Sequence, residues 1–245
     1  MILQNCAKTC FLGDKPHPGD LQITKYCLSL CDLPPHATIL DVGCGTGTTV
    51  HYLRSLEYQS YGIDVRRVIE RNHYLNSTPF IQGNWFNLPI KENSFDAVMA
   101  ECTFSIVKSL AKHLSEIRRV SRPGGILLMN GLYSRLKKPA QYLQFLDINC
   151  SLQFLKNSYE IRKLLNQTGF RLKFWQDQSE ILKTYTLQQQ ILLWDPQMFN
   201  LPYAQDESNH DTSENDIFDL FLNVSKLKLG YYVAIAERIE EDNHG

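Results

Sequence analysis

Several features that would narrow the function are missing from this 245-residue chain. Nowhere do 18 apolar residues run together, so no bilayer-spanning helix is expected. Residues 1–14 lack the basic segment, long apolar stretch and small-residue cleavage site of an export signal, and a cytoplasmic protein is expected. A dominant charge is absent too: 25 Lys and Arg stand against 26 Asp and Glu, a net charge of −1. The longest basic clusters, Arg66-Arg67 and Arg135 to Lys138, are short. No nucleic-acid partner is therefore expected, and small molecules or proteins are favoured as substrates. Seven cysteines, at 6, 10, 27, 31, 44, 102 and 150, are an odd and scattered set that suits a reducing compartment. Cys6/Cys10 and Cys27/Cys31 are spaced to share a helix face, but zinc ligands are usually closer and no histidine repeats nearby at a ligand interval. Buried structural thiols and no metal site are expected. There is no internal repeat, domain linker or coiled-coil heptad, and 43% hydrophobic with 21% charged residues describe one globular domain able to bury a sizeable core.

What is present is organised around Ile39-Leu40-Asp41-Val42-Gly43-Cys44-Gly45-Thr46-Gly47. An apolar run ending in an acid is followed by three alternate glycines, and Val50, Leu53 and Leu56 then set up a helical period. Strand, tight turn and helix are expected, with a turn whose backbone a ligand can approach. A dinucleotide fingerprint needs its third glycine at position 48, which is Thr48. Residues 58–65 read as a second strand ending at Asp64, which should reach the same sheet edge and can accept hydrogen bonds from ribose hydroxyls; a plain turn acid is the competing reading. A short strand at Pro79 to Gln82 leads to Gly83-Asn84-Trp85, and Ser94 to Ala100 is a clear apolar strand ending at Glu101-Cys102-Thr103-Phe104-Ser105. Residues past such a strand lie in the crevice where open α/β sheets bind ligands, so Glu101 is the first candidate for a base.

The remaining pattern continues the alternation. Asp20 is placed to cap a helix to about Leu30, and Arg66 to Leu75 reads as a helix. Leu110, Leu114, Ile117 and Val120 recur at helical spacing, and Arg122-Pro123-Gly124-Gly125 turns the chain into an apolar strand from Ile126 to Met129. Asn130 to Arg135 leaves that strand beside the crevice, where Tyr133 and Arg135 either touch substrate or form a surface loop. Ser158 is placed to cap a helix stopping at Gly169, Phe170 to Trp175 alternates as a strand, Ser179 to Leu193 reads as a helix, and so does Ile217 to Val224. Leu229 to Ile239 suits a buried last strand.

With Asp41 before the G-x-G-x-G turn, Phe95-Asp96 heading the fourth strand and the later R-P-G-G, the chain resembles the class I S-adenosylmethionine-dependent methyltransferases, strongly from Ile39 to about Met129. The resemblance implies an α/β fold: a doubly wound, mostly parallel seven-stranded sheet with an antiparallel last strand and helices on both faces. It implies one domain over 1–245, with arm and helix at 1–35, cofactor-binding core at 36–135, covers at 136–157 and 195–222, and the C-terminal half of the sheet at 158–240. S-adenosyl-L-methionine would lie over Gly43, Cys44, Gly45 and Gly47, with ribose at Asp64 and Val65, adenine near Asn84 and Trp85, and Asp41 supporting the turn and the methionine ammonium. An acid is commoner than Asn84 at that corner, and Trp85 is either an adenine wall or core. Glu101 is either a base or a fixed contact to the ammonium, and Tyr133 is the other catalytic candidate. Cys102 is a packed thiol or, as in arsenic methyltransferases, a reactive one. The N-P-P-Y-type motif of amino-methylating nucleic-acid enzymes is absent at Glu101 to Phe104. A small-molecule acceptor is expected; the alternatives are a cofactor-binding regulatory or scaffolding subunit and a thiol-rich metalloid methyltransferase.

Overall fold

The apolar runs become one seven-stranded sheet of order β3-β2-β1-β4-β5-β7-β6, seen in a computed structural model that describes residues 17–65, 80–139, 154–185 and 228–240. Its elements are α1 (Asp20–Ser29), β1 (Thr38–Val42), α2 (Thr48–Ser55), β2 (Gln59–Asp64), β3 (Phe80–Gln82), β4 (Phe95–Glu101), α3 (Leu110–Val120), β5 (Ser121–Ser134), α4 (Ser158–Gln167), β6 (Phe170–Asp177) and β7 (Leu229–Arg238). Strands β1 to β5 pair in parallel, and β7 runs antiparallel between β5 and β6. The order reverses between β1 and β4, where open parallel sheets leave a crevice at the carboxyl ends of their strands. The expected helices over 66–75 and 217–224, the cover at 195–222, residues 140–153 of the other cover and 186–193 lie outside the described residues. Residues 179–185 are helical.

Strand alternation gives the sheet two apolar faces. One carries Leu40, Val98, Leu127, Met129, Tyr133 and Tyr232 under α3 and α4, through Leu114, Ile117, Ile161 and Leu165. The other carries Ile39, Met99, Leu128, Tyr231 and Val233 under α1 and α2, through Ile23, Cys27 and Leu53. No described helix is long and apolar enough to cross a membrane.

Three local expectations change. Asp20 is the first residue of α1, and the N-cap is Gly19, whose φ of 84° suits glycine. The cap of α4 is Asn157: its side chain accepts from the Glu160 amide while Glu160 accepts from the Asn157 amide, so both exposed donors are satisfied reciprocally. The tight bend at Arg122 to Gly125 falls inside β5 and not ahead of it: Ser121 pairs with Phe95 and Ile126 with Ala97, the four residues between bulge out, Gly124 has a φ of 72°, and a Cβ on Gly125 would meet the Arg122 carbonyl.

His113 of α3 is fully buried among Trp85, Phe86 and Phe104, at ring-centroid distances of 5.9, 6.4 and 5.6 Å. Its Nδ1 lies 3.2 Å from the Trp85 carbonyl, while Nε2 has no partner among the described residues. Burial pushes its pKa down from 6.5 to about 4. The folded ring is neutral where the unfolded ring takes a proton, so its contribution is complete above about pH 6.5 and is lost as pH falls toward 4. Urea unfolding at pH 7 and 4.5 is expected to show wild type losing about 2–3 kcal/mol more than His113→Asn, at about 1.4 kcal/mol per unit. Equal losses would remove His113 as the cause.

Candidate functional site

The first half of the glycine turn is tied to β2 and the second half closes on itself. Gly43 N and Cys44 N donate to the Ile63 carbonyl at 2.8 and 3.3 Å, and Gly47 N donates to the Cys44 carbonyl at 2.8 Å. Asp64, at the end of β2, accepts from Gly45 N at 2.9 Å and from Val65 N at 2.6 Å. Burial raises its pKa, and the two amides partly counter that. The left-handed Gly43 sits under Thr103 and Trp85, and a Cβ there would overlap Thr103 Cγ2. A Cβ on Gly45 would meet nothing within 4 Å, so this part of the turn faces open space. Gly47 caps α2. Cys44 is packed inward, in room left by the missing side chain of Gly62.

A second group closes around Glu101 on the α1–α2 face. Its Oε1 accepts from Thr24 Oγ1 at 3.0 Å and Asn130 Nδ2 at 2.8 Å, and its Oε2 from Thr49 Oγ1 at 2.8 Å, with His17 Nε2 at 3.3 Å. Burial opposes ionisation, but His17 and the two threonines outweigh it and hold Glu101 below the usual carboxylate range. Asp41 is the reverse case: no described group donates to its buried carboxylate, and burial followed by the nearby charge of Glu101 pushes its pKa well up. Asn130 Oδ1 in turn accepts from Tyr231 OH at 2.7 Å, and Cys102 Sγ lies 3.4 Å from that hydroxyl. The chain turns out of β4 at Cys102, whose φ of 55° is a conformation non-glycine residues rarely adopt, and this turn carries Thr103 back over Gly43.

Asp41, Gly43, Gly45, Gly47, Asp64 and Glu101 therefore share one edge of the sheet, set by the β1–β2, β1–β4 and β4–β5 registers. Trp85 flanks Gly43, and its Nε1 is buried without a partner among the described residues. Asn84 uses Oδ1 to accept from Phe86 N at 2.9 Å, and Val65 is exposed beside Asp64. Tyr133 is not brought to Glu101. It lies on the opposite face of the sheet, donates to Asp177 Oδ2 at 2.5 Å and packs against Trp175 and Tyr232, while Arg135 holds the same Asp177 at 2.9 Å. Burial pushes the Cys27 and Cys44 thiols up, and the described His, Cys, Asp and Glu form no group of three that could hold a metal. Cys6, Cys10 and Cys150 lie outside the described residues. Sequence reasoning missed His17, Thr24, Thr49, Asn130 and Tyr231; the one local signal was a threonine or asparagine breaking an apolar run.

A family model described as "Methyltransferase domain" matches residues 40–129. An uncharacterized methyltransferase of Bacillus subtilis (strain 168), YodH, is 33% identical over 167 residues, which is 63% of this chain and 69% of the relative. The chain belongs to the class I S-adenosylmethionine-dependent methyltransferases. A phthiotriol/phenolphthiotriol dimycocerosates methyltransferase of Mycobacterium ulcerans (strain Agy99) is 37% identical over 100 residues, 38% of this chain but only 37% of that relative's length. Among solved structures, Haemonchus contortus phosphoethanolamine N-methyltransferase 2, in complex with S-adenosyl-L-methionine, has the same fold, with a TM-score of 0.70 at 18% identity over 94% of this chain and 55% of that one. As a member of an S-adenosylmethionine-dependent family, the chain takes S-adenosyl-L-methionine as its cofactor. The residues fit that group: open space over Gly45 and, among the described residues, a buried carboxylate at Asp41 without a donor and unpartnered polar atoms on Trp85 and Thr103 all flank one turn.

Proposed function

We propose that this methyltransferase transfers the methyl group to a small-molecule acceptor at the edge formed by Gly43 to Gly47, Asp64 and Glu101. The observation that carries this reading is the convergence of the open Gly45 turn with two buried carboxylates, one saturated and one awaiting a donor. When bound, S-adenosylmethionine supplies an electrophilic methyl group. Asp41 accepts from the methionine ammonium, the side-chain-free backbone of Gly43 to Gly47 packs against the methionine end, Asp64 accepts from the ribose hydroxyls with the lone pairs its two amide donors leave over, and Trp85 with Asn84 flanks the adenine. Glu101 already accepts from three side chains in addition to His17, so it is a fixed anionic wall and not a free base. In-line displacement at a sulfonium needs mainly alignment of the nucleophile at about 3 Å. Acceptors whose attacking atom is already unprotonated therefore suit this arrangement: an electron-rich carbon, a thiolate or a neutral amine. Related enzymes named as phthiotriol/phenolphthiotriol dimycocerosates methyltransferases and, in Gibberella zeae, as a sterol 24-C-methyltransferase support a small-molecule acceptor for this chain.

Calorimetry with S-adenosylmethionine and S-adenosylhomocysteine is the first check, with binding of both expected. Incubation with methyl-labelled S-adenosylmethionine and a panel of lipid, thiol and amine acceptors is the second. Binding without a labelled product from any acceptor would favour a regulatory or scaffolding subunit instead.

A further inference from the structure

Residues 17–19, just ahead of α1, reach the site through one packed turn. At Gly19 a Cβ would lie 3.1 Å from both Ile181 and Ile23, so the Pro18–Gly19 turn is held where only glycine fits without strain. That turn leaves the His17 ring against Glu101, with Nε2 3.3 Å from Oε2 and Nδ1 3.3 Å from the Pro18 carbonyl. Thr24, farther along α1, binds both oxygens of the same carboxylate. Both residues lie outside the segment that the methyltransferase domain matches, 40–129. Each ring nitrogen faces an acceptor, an arrangement that only the doubly protonated imidazolium satisfies. Among the described residues, the charged groups acting on this ring are Glu101 of β4 and Asp41 of β1, and no lysine or arginine pairs with either carboxylate.

We propose that His17 is a positioning residue of the cofactor site: its imidazolium is the counter-charge that keeps Glu101 ionised and so leaves Asp41 for the ammonium of the cofactor. The proposal rests on the cofactor reading above. Two adjacent buried carboxylates cannot both stay charged without a cation beside them, because each raises the other's cost of ionisation. Asp41 already holds its proton more tightly than an ordinary carboxylate; with His17 neutral or absent it holds it more tightly still, and the ammonium that must displace it loses part of its attraction. Glu101 outweighs the effect of burial and raises the pKa of His17 above 6.5, so the imidazolium persists at neutral pH and is lost as pH rises further. Cofactor affinity therefore falls on the alkaline side.

The test is calorimetric titration of the full chain with S-adenosylhomocysteine from pH 6 to 8.5, for wild type, His17→Gln and His17→Arg, with thermal melts to verify folding. Wild-type affinity is expected to fall at least fivefold across the range. His17→Gln is expected to bind about tenfold more weakly at pH 6.5 with a flat profile. His17→Arg, which keeps the charge but does not titrate, is expected to restore the affinity and stay flat, and it also reports any titration of the ligand itself. A wild-type slope retained in His17→Gln, or an arginine variant as weak as the glutamine one, overturns the proposal while leaving the cofactor reading intact. Absence of binding by all three proteins overturns both.

Discussion

Glu101→Ala is expected to cost about 3–5 kcal/mol of stability, the loss typical when one partner of a buried charged cluster is removed. Thr24, Thr49 and Asn130 would each lose an acceptor, and His17 would lose its partner charge. For a chain of this size that corresponds to a fall in Tm of roughly 6–20 °C. Affinity for S-adenosylhomocysteine is expected to fall on the order of 100-fold, within the 2–5 kcal/mol span of a lost buried charge contact. Glu101→Gln separates the two effects: it keeps the volume and one carbonyl acceptor, so it should recover part of the stability while leaving the affinity low. Scanning calorimetry and isothermal titration of both variants decide the matter. An unchanged Tm in Glu101→Ala would show that the four contacts do not hold α1 and α2 to the sheet.

Gly43→Ala is the second large effect. At a φ of 81° a side chain costs about 1–2 kcal/mol, and the new Cβ overlaps Thr103 Cγ2, adding roughly 1–3 kcal/mol as overpacking. The turn and the strand end at Thr103 must move apart, and this gap is where Gly45 opens to the ligand side. Cofactor affinity is expected to fall at least about 100-fold, because a shift of 1 Å in a positioning element suffices for that. Gly43→Ala/Thr103→Ser removes the overlapping methyl and should recover the packing part, leaving the backbone part. If Gly43→Ala binds S-adenosylhomocysteine as wild type does, this turn is not the cofactor's seat.

The legibility of the fold varies with how local its cause is. Ile39 to Gly47 could be read because strand, turn and helix start fall within one short segment, and the alternate glycines say where the chain must bend. The strands β1, β4 and β7 could be read for the same reason, as buried parallel or central strands are continuous apolar runs. Boundaries were read less well. Asn157 rather than Ser158 caps α4 because the choice depends on which side chain reaches the Glu160 amide. The bend at Arg122 to Gly125 falls inside β5, because Ser121 already pairs with Phe95 before the chain bulges out and rejoins β4 at Ile126.

The sequence by itself determined the order of strands and helices and the position of Asp41, Asp64 and Glu101 at strand ends, since each follows from short-range periodicity; the cofactor class came through the resemblance its motifs carry. Only the tertiary structure decided what Glu101 does. Its donors lie 77, 52 and 29 residues away at Thr24, Thr49 and Asn130, and nothing in their neighbourhoods marks them. The register also separated Glu101 from Tyr133, which the chain places on opposite faces of the sheet by strand alternation. A carboxylate at a strand end is a base or a fixed anion according to how many donors surround it, and that number is set by packing between elements distant in the chain.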